Sequence, residues 1–114
     1  MDRIEALMKE GKHYLDPHIS LPYLVRVSGT NRTYLSRAIF WYCGAHFRDY
    51  VNGWRVREVL SKAKLGQNEL SLFELALDCG FSHRRTFARA FIRETGIPPV
   101  DYVRELESEA RDAE

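Results

Sequence analysis

The chain has 114 residues, of which 45% are hydrophobic and 12% aromatic, and its formal net charge at pH 7 is +1. This length suits one compact domain or two small lobes on a shared connector, and the composition excludes a disordered chain. It contains no apolar run of membrane-spanning length and no secretory signal, so we expect a soluble, cytoplasmic protein.

Charge is distributed unevenly along the chain. Residues 1–100 carry a net charge of +5, and residues 101–114 carry −4. An acidic end therefore conceals a modestly basic body. That body is compatible with nucleic-acid binding, but it is less basic than many DNA-binding domains.

The residues that could support metal or catalytic chemistry are scattered. Cys43 and Cys79 are isolated, and the four histidines show no zinc-ligand spacing with them. We therefore expect reduced thiols and no metal site. The sequence also has no glycine-rich phosphate loop, no Ser-His-Asp arrangement and no suggestive carboxylate pair, so we predict no enzyme and no cofactor.

Three helices are predicted in the first part of the chain. The first covers about residues 2–14 and ends before Pro17, because the residue preceding a proline is pushed out of the helical region. Ser20 is expected to cap a short second helix. Asn31 is expected to cap a third, about residues 32–43, whose apolar side is predicted to include Leu35, Ile39 and Phe40.

A long fourth helix is predicted over about residues 45–64. Twenty residues at 1.5 Å each correspond to roughly 30 Å. Residues 65–68 are predicted to form a loop. Ser71 and Glu74 match a capping box, in which each side chain satisfies a free backbone amide of the other, so a fifth helix is expected to open there.

The stretch from Ser82 to Gly96 predicts a sixth helix, about residues 83–95, with an apolar back and an arginine front. Gly80 precedes it and is expected to form a tight turn with a positive φ. A last helix is predicted to start at Pro98-Pro99 and to fray in the acidic residues that follow Leu106.

The helix-turn-helix pattern occurs twice. When residues 20–44 are laid on residues 71–96, with one extra residue in the second turn, apolar and glycine positions coincide, and Arg37 meets Arg89. The predicted organisation is a first helix-turn-helix subdomain (1–43), a linker helix (44–65), a second helix-turn-helix subdomain (66–106) and an acidic tail (107–114).

The third and sixth helices are the predicted recognition helices. The linker length is close to the ~34 Å of one DNA turn, so the two helices are expected to enter successive major grooves of double-stranded DNA. Arginine suits base reading because it donates two hydrogen bonds to guanine. The candidate DNA-binding residues are Arg32, Thr33, Ser36, Arg37, Arg84, Arg85, Thr86 and Arg89.

Two assignments within this set remain open. Arg89 has a rival structural role, since its guanidinium could be aimed at a phosphate or at a carboxylate such as Glu74. The hydroxyls of Ser36 and Thr86 suit either a phosphate or a base edge. Backbone amides at helix starts are further candidate phosphate anchors, near Ser20, Asn31, Ser71 and Ser82.

At these positions the sequence resembles the DNA-binding domain of AraC/XylS-type bacterial transcription regulators. The first half matches that family at Leu21, Leu24, Gly29, Tyr34-Leu35-Ser36-Arg37, Phe47, Tyr50 and Arg55. The second half is more specific and matches at Ser71-Leu72, Glu74-Leu75-Ala76, Cys79-Gly80-Phe81-Ser82, Phe87, Arg89-Ala90-Phe91, Gly96, Pro99 and Tyr102.

The resemblance implies an all-α fold of about seven helices, with two helix-turn-helix subdomains joined by a long linker helix. It also implies a regulator that usually recruits RNA polymerase, as an activator does, although the sequence leaves activation and repression as alternatives. Two reading units in one chain predict a monomeric domain. The family commonly carries a sensing or dimerisation domain ahead of this one, so we expect a C-terminal piece of a longer regulator whose full-length form could dimerise.

One departure from the family supports a rival interpretation. Phe40-Trp41-Tyr42 replaces a segment that is commonly polar and basic, and its rings are expected either to pack against the first helix or to contact another domain or subunit. The alternative function is therefore a helical protein-interaction module without DNA readout. Such a module should have lost the cations of its reading faces, whereas Arg37 and Arg85 are present.

Overall fold

The computed structural model describes residues 2–64 and 68–112. Across these residues the chain is all-α, which confirms the predicted fold class, and it contains one additional short 3-10 turn, His13–Leu15. The helices are α1 (Asp2–Gly11), α2 (Leu21–Ser28), α3 (Arg32–Cys43), α4 (Phe47–Lys62), α5 (Glu69–Asp78), α6 (Arg84–Thr95) and α7 (Pro99–Asp112).

The first helix is shorter than predicted. It ends at Gly11, because Lys12 adopts the left-handed conformation with a φ of 49° and leads into the 3-10 turn. The reversal buries Tyr14 and lets its hydroxyl donate a hydrogen bond to Glu58 of α4 at 3.0 Å. A single helix over residues 2–14 was therefore a wrong prediction at its C-terminal end.

The predicted caps of α2 and α3 are confirmed. The Ser20 hydroxyl accepts a hydrogen bond from the Tyr23 backbone N–H at 3.2 Å. The Asn31 side chain accepts one from the Tyr34 N–H at 2.8 Å. Each bond satisfies one of the amides that the first turn of a helix leaves without a partner, so both helix starts are defined locally.

The start of α5 was predicted wrongly. Asn68, rather than Ser71, is the capping residue, and its side-chain oxygen accepts the Ser71 backbone N–H at 2.8 Å. The helix consequently begins at Glu69, and Ser71 lies within its first turn. The loop predicted over residues 65–68 lies outside the described residues except for Asn68.

The linker helix α4 is also shorter than predicted. Its 16 residues correspond to about 24 Å rather than 30 Å, so its length does not match the ~34 Å of one DNA turn from which the groove spacing was predicted. His46 before it and Ala63 after it both have extended backbone conformations. The helix is therefore bounded by Phe47 and Lys62.

The C-terminal helix α7 extends further than predicted. It is helical to Asp112, so the acidic residues from Glu107 to Asp112 continue the helix and do not fray. Val103 and Leu106 on its inner side are buried in the second half of the molecule. Residues 113 and 114 lie outside the described part of the chain.

Two apolar clusters form the interior, and α4 belongs to both. Tyr50 and Val51 pack with residues of α1, α2 and α3, whereas Val56 and Val59 pack with residues of α5, α6 and α7. The two helix-turn-helix units thus have separate cores on a shared helix. The resulting body is elongated, about 52 × 24 × 22 Å. None of the helices described is long and apolar enough to cross a membrane.

Candidate nucleic-acid interface

The first helix-turn-helix unit consists of α2, a glycine turn and α3. Gly29 has a φ of 71°, and its N–H donates to the Val25 carbonyl at 3.1 Å, which closes α2. Leu35 and Ile39 on the inner side of α3 are fully buried together with Leu24 of α2. This packing determines which side of α3 faces solvent.

The predicted reading residues of α3 lie on its solvent side. All four of them are exposed: Arg32, Thr33, Ser36 and Arg37. Within the described residues, neither arginine forms an ion pair. Phe40, in contrast, was predicted on the apolar side and is 51% exposed, because the inward direction of α3 is set by Leu35 and Ile39.

The second unit consists of α5, the Gly80 turn and α6. Gly80 has a φ of 105°, which confirms the predicted positive φ, and the Cys79 N–H donates to the Leu75 carbonyl at 3.0 Å. Phe87 and Phe91 of α6 are buried, and their rings meet edge to face at 5.6 Å. The opposite side of α6 is therefore directed to solvent.

The predicted reading residues of α6 divide by environment. Arg85 and Arg89 are exposed and make no ion pair within the described residues, so the alternative in which Arg89 pairs with Glu74 does not hold there. Arg84 is exposed as well, but its guanidinium lies over the Phe73 ring at 5.0 Å. Thr86 is only partly exposed.

Several other cations are paired with carboxylates. Arg57 contacts Glu94 at 2.9 Å, and Arg93 contacts Asp49 at 3.0 Å, so both pairs link α4 to α6. Further pairs join Lys12 and Lys62 to Glu58, and Arg104 to Asp101. The arginines on the outer sides of α3 and α6 are thus available to an external anion.

Arg55 is the site residue whose role the sequence did not reveal. Its guanidinium is buried and donates three hydrogen bonds, to the Tyr14 carbonyl at 2.7 Å, to the Asp16 carbonyl at 2.8 Å and to the Asn52 side chain at 3.0 Å. Burial lowers the pKa of Arg55, and the Asp16 charge opposes that shift. The sequence did contain one signal of this role, because helical spacing places the charged Arg55 on the buried side of α4.

Arg55 lies where the two units meet. A Cβ atom added to Gly80 would stand 2.6 Å from the Arg55 Nε and 2.6 Å from the Tyr14 carbonyl oxygen. The turn of the second unit therefore contacts the 3-10 turn of the first through Arg55. This contact places the turn before α6 against the first unit.

A cleft of about 460 Å³ separates the two units beside this junction. It is lined by residues at the starts of α2, α4 and α6, including Ser20, Arg48, Ser82 and Thr86. Two of the predicted phosphate anchors, Ser20 and Ser82, are thereby brought together. Helix starts attract anions, and Arg48 at the cleft is exposed. No group of metal-binding side chains occurs among the described residues.

Two helix pairs, each joined by a turn that contains a glycine with a positive φ, share one linker helix and define a double helix-turn-helix domain. Comparisons with known proteins lead to the same class. The family profile described as a helix-turn-helix domain matches residues 24–105. Regulatory protein SoxS of Escherichia coli K12 is 30% identical over 93 residues, covering 78% of this chain and 85% of SoxS. SoxS of Salmonella typhimurium LT2 is 26% identical over 99 residues, covering 87% of this chain and 91% of that SoxS.

Solved structures show the same fold. A Listeria innocua protein of unknown function has a TM-score of 0.64 and 28% identity, covering 88% of this chain and 92% of its own. The C-terminal domain of AraT, a response regulator from Geobacillus stearothermophilus, has a TM-score of 0.67 and 23% identity, covering 92% and 86%. The chain belongs to the AraC/XylS-type helix-turn-helix family of DNA-binding transcription regulators.

Proposed function

We propose that this chain binds double-stranded DNA sequence-specifically, with α3 and α6 in successive major grooves on one face of the duplex. The observation that carries the proposal is the state of the arginines. Arg37, Arg85 and Arg89 are exposed and unpaired within the described residues, whereas Arg57 and Arg93 are held by carboxylates. A major groove supplies the guanine acceptors that such arginines lack within the protein.

The reading residues have distinct proposed roles. Arg37 and Arg85 read guanines, and each such contact contributes roughly 1–3 kcal/mol of discrimination. Arg84, supported by the Phe73 ring, contacts a base or a phosphate near the start of α6. Arg32, Thr33, Ser36, Thr86 and Arg89 complete the interface through phosphates and base edges.

The wider role that we propose follows from the family. The chain acts as a non-enzymatic regulator in the cytoplasm, binds DNA as a monomeric domain, and activates transcription by contacting RNA polymerase. The similarity to Regulatory protein SoxS supports the regulatory part of this proposal.

The first experiment measures fluorescence anisotropy of a labelled random-sequence duplex between about 50 and 200 mM salt. Several neutralised phosphates should make the logarithm of affinity fall steeply with the logarithm of salt concentration. Failure to bind at the lowest salt concentration would refute the proposal.

Site selection from randomised duplexes then tests specificity. Arg85→Ala should relax the base preference in one half-site. Arg93→Ala is the matched control, because Arg93 lies on the same helix but is paired with Asp49 at 3.0 Å. If both variants select the same sequences as the unmodified protein, Arg85 is not a reader.

The rival function, a protein-interaction module, has one observation in its favour. Trp41 is 85% exposed on α3, and so large an exposed apolar side chain often marks a contact surface. Absence of DNA binding together with capture of RNA polymerase through Trp41 would favour this rival.

A further inference from the structure

The outer side of α3 carries aromatic rings directly beside the reading arginine. Thr33, Arg37, Phe40 and Trp41 succeed one another at helical spacing on the side opposite the buried Leu35. We call Thr33, Arg37, Phe40 and Trp41 the outer stripe of α3. Trp41 is 85% exposed and Phe40 is 51% exposed.

The described residues leave the aromatic end of this stripe largely exposed. Tyr42 donates a hydrogen bond to Glu5 of α1. Contact with the first helix was one expectation for residues 40–42, and Tyr42 makes that contact. Phe40 lies 5.7 Å from the His46 ring. Trp41 makes no hydrogen bond and no ring contact within residues 2–64 and 68–112.

The corresponding positions of the second unit have a different chemistry. In the internal repeat, Arg85 occupies the position that corresponds to Thr33, Ile92 that of Phe40, and Arg93 that of Trp41. Since Arg37 corresponds to Arg89, both units retain one arginine at the centre of the stripe. Because Arg93 is paired with Asp49, the cations that the outer side of α6 leaves unpaired within the described residues are Arg85 and Arg89. The outer side of α3 instead combines Arg37 with two exposed aromatic rings.

On the basis of the proposed function, we infer that α3 reads a thymine-containing half-site through the C5-methyl groups, while α6 reads a guanine-rich one. Thymine is the base that presents a methyl group in the major groove, and apolar side chains contact it there. Trp41 lies one helical turn beyond Arg37, about 6 Å along α3, which corresponds to roughly two base pairs. Phe40 and Trp41 thus continue the stripe along the groove, and DNA is the surface that covers them.

The test removes the methyl groups alone. After site selection, the α3 and α6 half-sites are distinguished by which of them loses its preference in Arg37→Ala and which in Arg85→Ala. Deoxyuridine then replaces the thymines of the α3 half-site. Each contacted methyl should contribute about fourfold in affinity, equivalent to ~0.8 kcal/mol.

The variant Trp41→Ala should lose less affinity than the unmodified protein when deoxyuridine replaces thymine, because the methyl contact of Trp41 is gone while that of Phe40 remains. Its folding is checked by circular dichroism, and the exposure of Trp41 predicts no loss of helix. Leu77→Ala is the matched control, since Leu77 is an exposed apolar residue on α5, outside the stripe. Leu77→Ala should retain the full sensitivity to deoxyuridine.

Three results would overturn the inference. The first is an unmodified protein that binds deoxyuridine duplexes as tightly as thymine duplexes. The second is a Trp41→Ala variant that keeps the full sensitivity of the unmodified protein. The third is a Trp41 side chain that is required only for capture of RNA polymerase. Each leaves salt-dependent binding to random duplex intact, whereas failure of the proposed function removes that binding as well.

Discussion

Gly80 shows how a single backbone conformation determines the contact between the two units. Its φ of 105° belongs to a region that side chains with a Cβ rarely adopt, and the added atom would stand 2.6 Å from both Arg55 Nε and the Tyr14 carbonyl oxygen. Gly44 also has a positive φ, 67°, but nothing lies within 4 Å of a Cβ added there. Comparing the same substitution at the two glycines therefore separates the cost of a positive φ from the cost of a steric clash.

Gly80→Ala should lower the free energy of unfolding by about 3 kcal/mol or more, because strain and the clash with Arg55 add together. Gly44→Ala should lower it by about 1 kcal/mol, since only the left-handed conformation is penalised. Urea denaturation followed by circular dichroism measures both. Equal losses in the two variants would contradict the steric contribution at Gly80.

Tyr50 and Tyr14 form a second matched pair at the residue scale. The Tyr50 hydroxyl and the Trp54 indole N–H are both buried without a hydrogen-bond partner within the described residues, and burial raises the pKa of Tyr50 to about 12. The Tyr14 hydroxyl donates to Glu58 at 3.0 Å; burial and then that hydrogen bond raise its pKa to about 12.

Tyr50→Phe should raise the free energy of unfolding by about 1 kcal/mol, because it removes an unsatisfied buried hydroxyl and keeps the ring. Tyr14→Phe should lower it by about 1 kcal/mol, because a satisfied hydrogen bond is lost and Glu58 loses a donor. The midpoints of thermal unfolding should move in opposite directions. A loss of stability in both variants would show that the Tyr50 hydroxyl has a partner.

The start of α5 was predictable in kind and wrong in position. Both Asn68 and Ser71 are common capping residues, and the capping-box pattern favoured Ser71. Asn68 prevails because its oxygen reaches the Ser71 N–H at 2.8 Å, so that Glu69 and Leu70 join the helix. Where two good caps lie within one turn, local sequence preference alone does not select between them.

Asn68→Ala should lower the free energy of unfolding by about 1 kcal/mol, the usual cost of removing a cap. Ser71→Ala should change it by at most a few tenths of a kcal/mol, since Ser71 contributes its backbone N–H and not its hydroxyl. Denaturation of the two variants side by side gives the comparison. A larger loss of stability for Ser71→Ala than for Asn68→Ala would show that Ser71 caps the helix, as the capping-box pattern predicted.

Arg55 adds a second link between the two units to the shared helix α4, because it bonds the 3-10 turn of the first unit and lies over the Phe81 ring of the second at 5.8 Å. Arg55→Lys keeps the charge but loses the planar fork that donates to Tyr14, Asp16 and Asn52 at once. Because two carbonyl groups are left with fewer donors, the free energy of unfolding should fall by about 3 kcal/mol. Affinity for a duplex with both half-sites should fall at least tenfold, because the relative placement of α3 and α6 loosens.

Arg57→Lys is the control for this prediction, since Arg57 lies on the same helix but pairs with Glu94 at the exposed surface. Its effect on the free energy of unfolding should stay within about 1 kcal/mol. Thermal unfolding and anisotropy on the selected duplex measure the two effects. An Arg55→Lys variant that melts and binds like the unmodified protein would show that Arg55 does not hold the junction.

Most of the fold could be predicted because its signals are local. Apolar spacing indicated the helices, Ser20 and Asn31 capped as expected, and the repeated glycine turns marked the two units. The exposure of Phe40 and the end of α1 at Gly11 could not be predicted in this way. The exposure of Phe40 depends on which helix packs on the inner side of α3. The turn after Gly11 places Tyr14 against Glu58 of α4, which lies far along the chain.

The amino-acid pattern alone was sufficient to establish an all-α chain with two helix-turn-helix units and arginines on both reading helices, because helical period, caps and turns act over a few residues. Only the folded molecule distinguishes Arg89, which is unpaired within the described residues, from Arg93, which is bound to Asp49. Such pairs join residues far apart in sequence, so their formation is decided by how α4 crosses α6. The junction at Arg55 arises for the same reason.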